Sequence, residues 1–153
     1  MTWPFGLTPR DQAIIRFLAR FKQASGKQLE RLFFQTNAER SRETVRQRVL
    51  KRLARDEYLY LLPRKVGYGG GSELSHYMLG SAGLTLFGLP TPRYKWNPHT
   101  LMVTELMVRL TELLIDDRIG KLTYSPEPLV ELTTISFKPD AYVEIERDRR
   151  YFW

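Results

Sequence analysis

The chain has no cysteine and only two histidines among its 153 residues. Disulfide bonds and thiolate metal sites are therefore excluded, and nothing in the sequence requires an oxidising compartment. His76 and His99 each lack a second histidine nearby, so they fit structural positions better than metal ligation. We expect neither a metal nor another cofactor.

Long apolar runs are missing as well. No apolar run reaches the length of a membrane span, and the N-terminus lacks the pattern of a signal peptide. The glycine-rich residues 67–71 lack the Lys-Ser/Thr pair and the following helix of a nucleotide-binding loop, so they predict a turn. These absences favour a cytoplasmic protein without a membrane partner.

Acidic residues are scarce in one part of the chain. Residues 1–96 hold 17 Lys/Arg and 7 Asp/Glu, whereas residues 97–153 hold 7 Lys/Arg and 10 Asp/Glu. The first part therefore has a net charge of +10 and the second −3, which together give the +7 of the whole chain. Such asymmetry favours a polyanionic partner for the first part. Nucleic acid is favoured over a membrane surface, which would call for a basic amphipathic helix with a large aromatic face.

Start signals predict three helices in this basic part. The first two signals are a hydroxyl residue followed three positions later by an acid or amide, as in a capping box. They place helix starts at Thr8, with Asp11, and at Ser25, with Gln28. A third helix is predicted from Ser41, as its cap, to about Arg55.

The third helix has an apolar side and a polar side. Its polar side carries Thr44, Gln47, Arg48, Lys51 and Arg55. Arg42 and Arg46 fall nearer the apolar side, but they lie early in the helix, and we expect their long side chains to reach outward. Residues 40–55 hold seven basic residues and one acid, so ion pairs along the helix do not explain the arginines.

Extended segments follow this helix. Residues 58–62 and 75–79 predict two strands, joined by residues 63–75 as a hairpin with a basic, glycine-rich tip. Three helices and a hairpin are the order of a winged helix-turn-helix, whose third helix enters the major groove of DNA. Arg pairs with guanine and Gln with adenine, while Lys and Arg also bind phosphates. The candidate DNA-binding residues are Lys27, Arg42, Thr44, Arg46, Gln47, Arg48, Lys51, Arg55, Arg64 and Lys65.

The predicted fold class is α+β, with three parts. Residues 1–88 form the winged helix-turn-helix, residues 89–97 a proline-containing linker, and residues 98–153 a long helix plus β-strands. Strands are expected at residues 121–124, 129–137 and 141–145. A short helix or turn is expected at residues 81–87.

Several short segments resemble the replication-relaxation family of plasmid and mobile-element proteins. They are residues 7–11, residues 44–53, residues 77–83, His99 and Pro139-Asp140-Ala141. The resemblance covers most of the chain. It implies an N-terminal winged helix and a role at plasmid or phage DNA, in replication or transfer.

The family's second half is similar to the restriction-nuclease-like fold, in which Pro-Asp and a later acid-x-Lys hold a divalent metal. Asp140 fits the first position. Glu144 and Glu146 come too soon for the acid-x-Lys position, because they lie on the predicted strand of Asp140 itself, and no lysine follows at the required place. Glu105 is another candidate ligand. The chain ends about where the next strand would begin, which indicates a fragment or an incomplete nuclease half. We therefore expect no catalytic and no metal-binding residue, and we expect the chain not to be an enzyme.

The long helix, predicted over residues 98–116, has two open interpretations. Its apolar stripe covers the following strands as core, or it forms the seam of a homodimer. The seam residues would be Val103, Met107, Leu110 and Leu114.

The leading hypothesis is a double-stranded DNA-binding protein of plasmid or phage origin that acts in replication, transfer or partition. Its partners would be duplex DNA and other replication or transfer proteins. Three alternatives stay open: a winged-helix transcriptional repressor, a metal-dependent nuclease-like protein, and a protein-interaction or virion module.

Overall fold

Helices and short antiparallel strands make up the part of the chain that the computed structural model describes, which is residues 2–63, 75–126, 130–131, 136–137 and 139–146. The chain divides into two units, Met1–Leu101 and Met102–Trp153. Both units combine helix with small sheets, so the predicted α+β class is confirmed.

The first two helices begin at the predicted capping boxes. Helix α1 spans Pro9–Phe21; the Thr8 side chain accepts a hydrogen bond from the Asp11 amide, and the Asp11 carboxylate accepts one from the Thr8 amide. Helix α2 spans Gly26–Phe33, and Ser25 and Gln28 make the same reciprocal pair. Each box satisfies two backbone donors that a helix start leaves open.

The third helix begins earlier than its sequence predicts. Helix α3 spans Glu39–Arg55 and has Ala38 as its N-cap, without a side-chain cap. The prediction that Ser41 caps the helix is wrong, because the Ser41 hydroxyl donates to the Ala38 carbonyl from inside the first turn. This early start places Arg40 on the helix.

The end of α3 lies where the sequence predicts it, although no glycine follows. Glu57 takes the left-handed conformation that glycine favours in this position, with φ of 60°. The Tyr58 amide then donates to the Leu53 carbonyl at 2.9 Å. This hydrogen bond closes the helix and turns the chain directly into the first strand of the hairpin.

Three short strands form one antiparallel sheet in the first unit. They are β1 Ala24–Ser25, β2 Leu59–Leu61 and β3 His76–Leu79, in the order β1-β3-β2. Tyr60 lies opposite Met78 in the register of β2 and β3. Both hairpin strands were predicted, whereas β1 was not. The tip of the hairpin, with Arg64 and Lys65, lies outside the described residues.

The core of the first unit lies between the helices and one face of this sheet. Its buried residues include Ile14, Ile15, Leu18, Leu29, Phe34, Leu50, Leu53, Leu59, Tyr77 and Leu79. The predicted short helix is α4, Ser81–Phe87. A Cβ on Gly80 would lie 2.3 Å from the Glu57 carbonyl oxygen, so only glycine lets the start of α4 approach the end of α3 this closely.

The long helix α5 spans Pro98–Ile115, with the Asn97 side chain accepting from the amides of its first turn. Thr104, Val108 and Leu110 are buried, whereas Met102, Leu106 and Ile115 are exposed. Part of the apolar surface of α5 is therefore exposed in the described part of the chain. The homodimer through this helix stays a prediction.

The second unit contains two antiparallel strand pairs. Strand β4, Lys121–Pro126, pairs with β7, Ala141–Glu146, and β5, Val130–Glu131, pairs with β6, Ser136–Phe137. The single strand predicted over residues 129–137 is therefore wrong, because its two ends fold back on each other. Among the described residues, no helix is long and apolar enough to cross a membrane.

Candidate nucleic-acid interface

Helix α3 presents one continuous polar face to solvent. Five of the candidate DNA-binding residues lie on it, and all five are exposed: Thr44, Gln47, Arg48, Lys51 and Arg55. The opposite side of the helix buries Leu50 and Leu53 in the core. The 3.6-residue period thus separates a packing side from a side that is free for hydrogen bonding.

Arg40 belongs to the same face, although sequence reasoning missed it. It is exposed and lies one turn before Thr44, so it extends the polar face to the start of the helix. The predicted cap at Ser41 would leave Arg40 in the loop before the helix. The charge of residue 40 was visible in the sequence, but the helix start that orients it was not.

Three cations of this face lack acidic partners among the residues that the structure describes. No carboxylate of the residues that the structure describes lies within ion-pair distance of Arg40, Arg48 or Lys51, whereas Arg55 contacts Asp56 at 2.8 Å. That hydrogen bond raises the pKa of Arg55 and lowers the pKa of Asp56. Arg40, Arg48 and Lys51 therefore leave an uncompensated positive charge on the exposed side of α3.

The side-chain amide of Gln47, on the same face, contacts a neighbouring carboxylate. Its Nε2 donates to the Glu43 carboxylate at 3.2 Å, one turn earlier on the helix. Both groups are exposed, so the hydrogen bond competes with water and is easily exchanged. The amide is therefore available to another hydrogen-bonding partner.

Arg46 is placed differently from the sequence expectation. Its side chain is 10% exposed and points inward, where it contacts Glu30 of α2 at 2.5 Å and Glu43 at 3.4 Å. Burial of an arginine requires such pairing, because an unpaired buried charge is strongly unfavourable. Arg46 joins α3 to α2 and is not part of the polar face.

A second inward contact joins α3 to α1. Arg52 donates to the Asp11 carboxylate at 2.7 Å, and the Asp11 side chain is 1% exposed. Burial raises the pKa of Asp11, but hydrogen bonds from Arg52 and Thr8 outweigh it, so that the pKa is lowered overall. The same carboxylate therefore caps α1 and anchors α3.

Two of the remaining candidates, Lys27 and Arg42, have described positions that differ from those of the polar face. Lys27 is exposed at the second residue of α2, and Arg42 is half-buried, with a long 3.5 Å contact from its Nη2 to the Asn37 carbonyl. Nothing is described of Arg64 and Lys65. The structure thus brings together the cations and hydrogen-bonding groups of α3, with Lys27 at a separate helix start.

The carboxylates considered for a metal site lie in the second unit. Asp140 is exposed just before β7, and Glu144 and Glu146 are exposed on β7. Glu105 forms an ion pair with Arg109 at 3.0 Å on α5. Among the residues with described positions, no group of three His, Cys, Asp or Glu side chains is arranged to hold a metal ion.

Comparison with known proteins places the chain in a family. No curated protein and no solved structure matches it. The family model of replication-relaxation proteins matches residues 15–153, which include α2, α3, the sheet and the second unit. The chain therefore belongs to the replication-relaxation family.

Proposed function

We propose that the first unit is a winged helix-turn-helix that binds double-stranded DNA, with α3 in the major groove. The observation that carries the proposal is the exposed face of α3, where Arg40, Arg48 and Lys51 have no acidic partner within the described chain. Membership of the replication-relaxation family suggests a role in plasmid replication or mobility. We infer that the DNA belongs to a plasmid or phage element and that binding serves its replication, transfer or partition.

The support for the groove assignment is the two-sided character of α3. A helix fits the major groove when its outer side carries hydrogen-bonding groups and its inner side is held by other elements. Here α1 and α2 hold the inner side through Asp11 and Glu30. The helix backbone that carries the side chains at the centre of the outer side is then already ordered, which reduces the conformational entropy lost on binding.

Five residues of the face have roles that suit their chemistry. Arg48 and Gln47 lie at the centre and reach base edges, where arginine pairs with guanine and glutamine with adenine. Arg40, Lys51 and Arg55 lie towards the two ends of the face and bind phosphates, as does Lys27 at the start of α2. The hairpin tip at residues 63–75 then adds Arg64 and Lys65 against the backbone or the adjacent groove.

The proposal is of a binding protein and not of an enzyme. In the second unit, Asp140, Glu144 and Glu146 lie on or beside a single strand of a two-stranded sheet. A metal-dependent nuclease requires ligands that converge from different elements. Glu105 of α5 is engaged by Arg109, which supports a structural role for that acid.

Selection from a random pool of duplex DNA tests the function directly. We expect the full chain to enrich a sequence, and its binding constant to fall steeply between about 50 and 200 mM salt, as phosphate contacts require. The matched pair of variants is Arg48→Ala on α3 and Arg118→Ala, an exposed arginine of the second unit. Only the first should weaken binding to the enriched sequence.

Two outcomes would change the conclusion. Absence of any salt-dependent DNA affinity would overturn DNA binding and favour a protein-interaction module. If DNA is bound, a gel-shift comparison of the element's own origin with its promoters separates a replication or transfer role from that of a transcriptional repressor. Preference for the origin is expected.

A further inference from the structure

Residues 93–97, which we name the strap, cross one face of the sheet in the first unit. This face is the one that carries Tyr60, Met78 and His76, opposite to the helical core. Tyr94 stacks on Tyr60 with 4.0 Å between ring centroids, and Trp96 meets His76 edge-on at 6.3 Å. The segment expected to be a linker is therefore packed against the sheet.

A buried glutamine holds the backbone of the strap. Gln23 is 4% exposed; its Nε2 donates to the Lys95 carbonyl at 2.5 Å, and its Oε1 accepts from the Asn97 amide at 3.0 Å. The Lys95 amide also donates to the Arg93 carbonyl at 2.8 Å, which closes a three-residue turn around Tyr94. These contacts fix the backbone on both sides of Tyr94.

The strap alternates between inward and outward residues. Tyr94 and Trp96 are partly buried, whereas Arg93, Lys95 and Asn97 are exposed. No ion pair of Arg93 or Lys95 with a carboxylate is found in the described part of the chain. Two cations therefore project to solvent from a backbone that is already ordered, so binding an anion would order their side chains without a further cost for the backbone.

The strap lies beside two segments that the proposed function assigns to DNA. Trp96 contacts His76, the first residue of β3, which is where the basic hairpin tip returns to the sheet. The Gly26 amide donates to the Ser75 carbonyl at 2.8 Å, so the start of α2, with Lys27, adjoins the same end of the hairpin. The strap therefore lies beside β3 at the end of the sheet where the start of α2, with Lys27, also contacts the chain.

We propose that Arg93 and Lys95 of the strap form an additional phosphate-binding surface for duplex DNA, beyond α3 and the hairpin. This inference rests on the proposed function of the first unit. Phosphate contacts fix register and carry no sequence information. The strap therefore contributes affinity and position on the duplex, while α3 contributes sequence preference.

The salt dependence of binding tests the inference. Each phosphate contact contributes about 0.9 to the slope of log K against log salt concentration, so the double variant Arg93→Gln/Lys95→Gln should lower the slope by about 1.8. The matched control is Arg118→Gln/Lys121→Gln, which removes one arginine and one lysine from exposed positions of the second unit. An equal change in both double variants, or no change in the strap variant, would overturn the inference.

A variant of α3 separates failure of the inference from failure of the proposed function. Arg48→Gln/Lys51→Gln should weaken DNA binding whether or not the strap takes part. If this variant loses affinity and the strap variant does not, only the strap assignment fails. If the unmodified chain shows no salt-dependent DNA binding, both proposals fail.

Cross-linking gives a second measurement, which reports the position of residue 95 relative to bound DNA and not the binding constant. The chain has no cysteine, so Lys95→Cys creates a unique attachment point for a thiol-directed photo-cross-linker. We expect ultraviolet light to link position 95 to bound duplex DNA, and Arg118→Cys, labelled in the same way, to give no product. Equal yields at both positions, or none at position 95, would contradict a strap contact.

Discussion

Helix α3 carries arginines on two sides. The two groups share one side-chain type but differ in exposure and in their acidic partners. On the inner side, Arg46 contacts Glu30 and Arg52 contacts Asp11. On the outer side, Arg40 and Arg48 are exposed and have no acidic partner among the described residues. The comparison shows that the number of cations on a helix overstates the charge that it can offer to DNA.

Desolvation explains the difference. A charge taken out of water, such as that of Arg46 or Asp11, needs an opposite charge, because it would be strongly unfavourable without one. An exposed arginine keeps its hydration and exchanges it for phosphate or base contacts on binding. Inner arginines should therefore affect stability, and outer arginines should affect DNA binding.

The largest effect is expected on the inner side. Arg46→Met leaves the Glu30 carboxylate, which is 15% exposed, without its main partner. We expect the free energy of unfolding to fall by about 3 kcal/mol, as measured by urea denaturation. The double variant Arg46→Met/Glu30→Leu should recover most of the loss, because it removes both charges. A loss below about 0.5 kcal/mol for the single variant would mean that Arg46 is not a structural arginine.

Asp11→Asn tests the second inner contact through its pH dependence. The lowered pKa of Asp11 means that its carboxylate stabilises the fold above the unfolded-state pKa of about 3.9, and that this stability is lost as pH falls through the lower, folded-state pKa. We expect Asp11→Asn to cost about 2 to 3 kcal/mol at pH 7 and progressively less in acid. Urea denaturation from pH 7 to about pH 3 measures the difference.

The control for this pH series is Asp56→Asn. Asp56 pairs with Arg55 at the surface, where solvent screens the interaction. Its removal should change stability little at any pH. If the two variants behave alike, the contact between α1 and α3 does not anchor the helix.

The sequence predicted what is encoded locally. The capping boxes at Thr8 and Ser25 follow from residues three positions apart, and the polar face of α3 follows from helical period. The end of α3 at Arg55 was also correct, although Glu57 adopts a conformation that its residue type does not favour. These features need no knowledge of distant residues.

The features that were missed depend on residues far apart in the chain. The direction of Arg46 is set by Glu30 on another helix, and the two-residue strand β1 exists only because β3 pairs with it. The pairing of β5 with β6 within the range predicted as one strand is something that alternation alone does not specify. The strap depends on Gln23, more than 70 residues before the atoms that it binds.

On the outer side of α3, Arg48→Ala should affect DNA and not stability. We expect its affinity for the preferred sequence to fall by about 1 to 3 kcal/mol, and its stability to change by less than about 0.5 kcal/mol. Fluorescence anisotropy with the preferred and a scrambled duplex measures the effect. An equal loss on both duplexes would show that Arg48 binds phosphate and does not read a base.

The smallest effect is expected at Arg40, the cation that the early start of α3 adds to the face. Arg40→Ala should lower the slope of log K against log salt by about 0.9 and weaken binding to every sequence alike. The neighbouring Ser41→Ala is the control, because Ser41 lies inside the first turn and is not the cap. Its stability should change by less than about 0.5 kcal/mol, whereas loss of a true cap costs typically about 1 kcal/mol. Two results together would contradict this assignment: a loss of about 1 kcal/mol in the stability of Ser41→Ala, and an unchanged salt slope for Arg40→Ala. They would mean that α3 begins at Ser41 and that Arg40 is not part of the DNA-binding face.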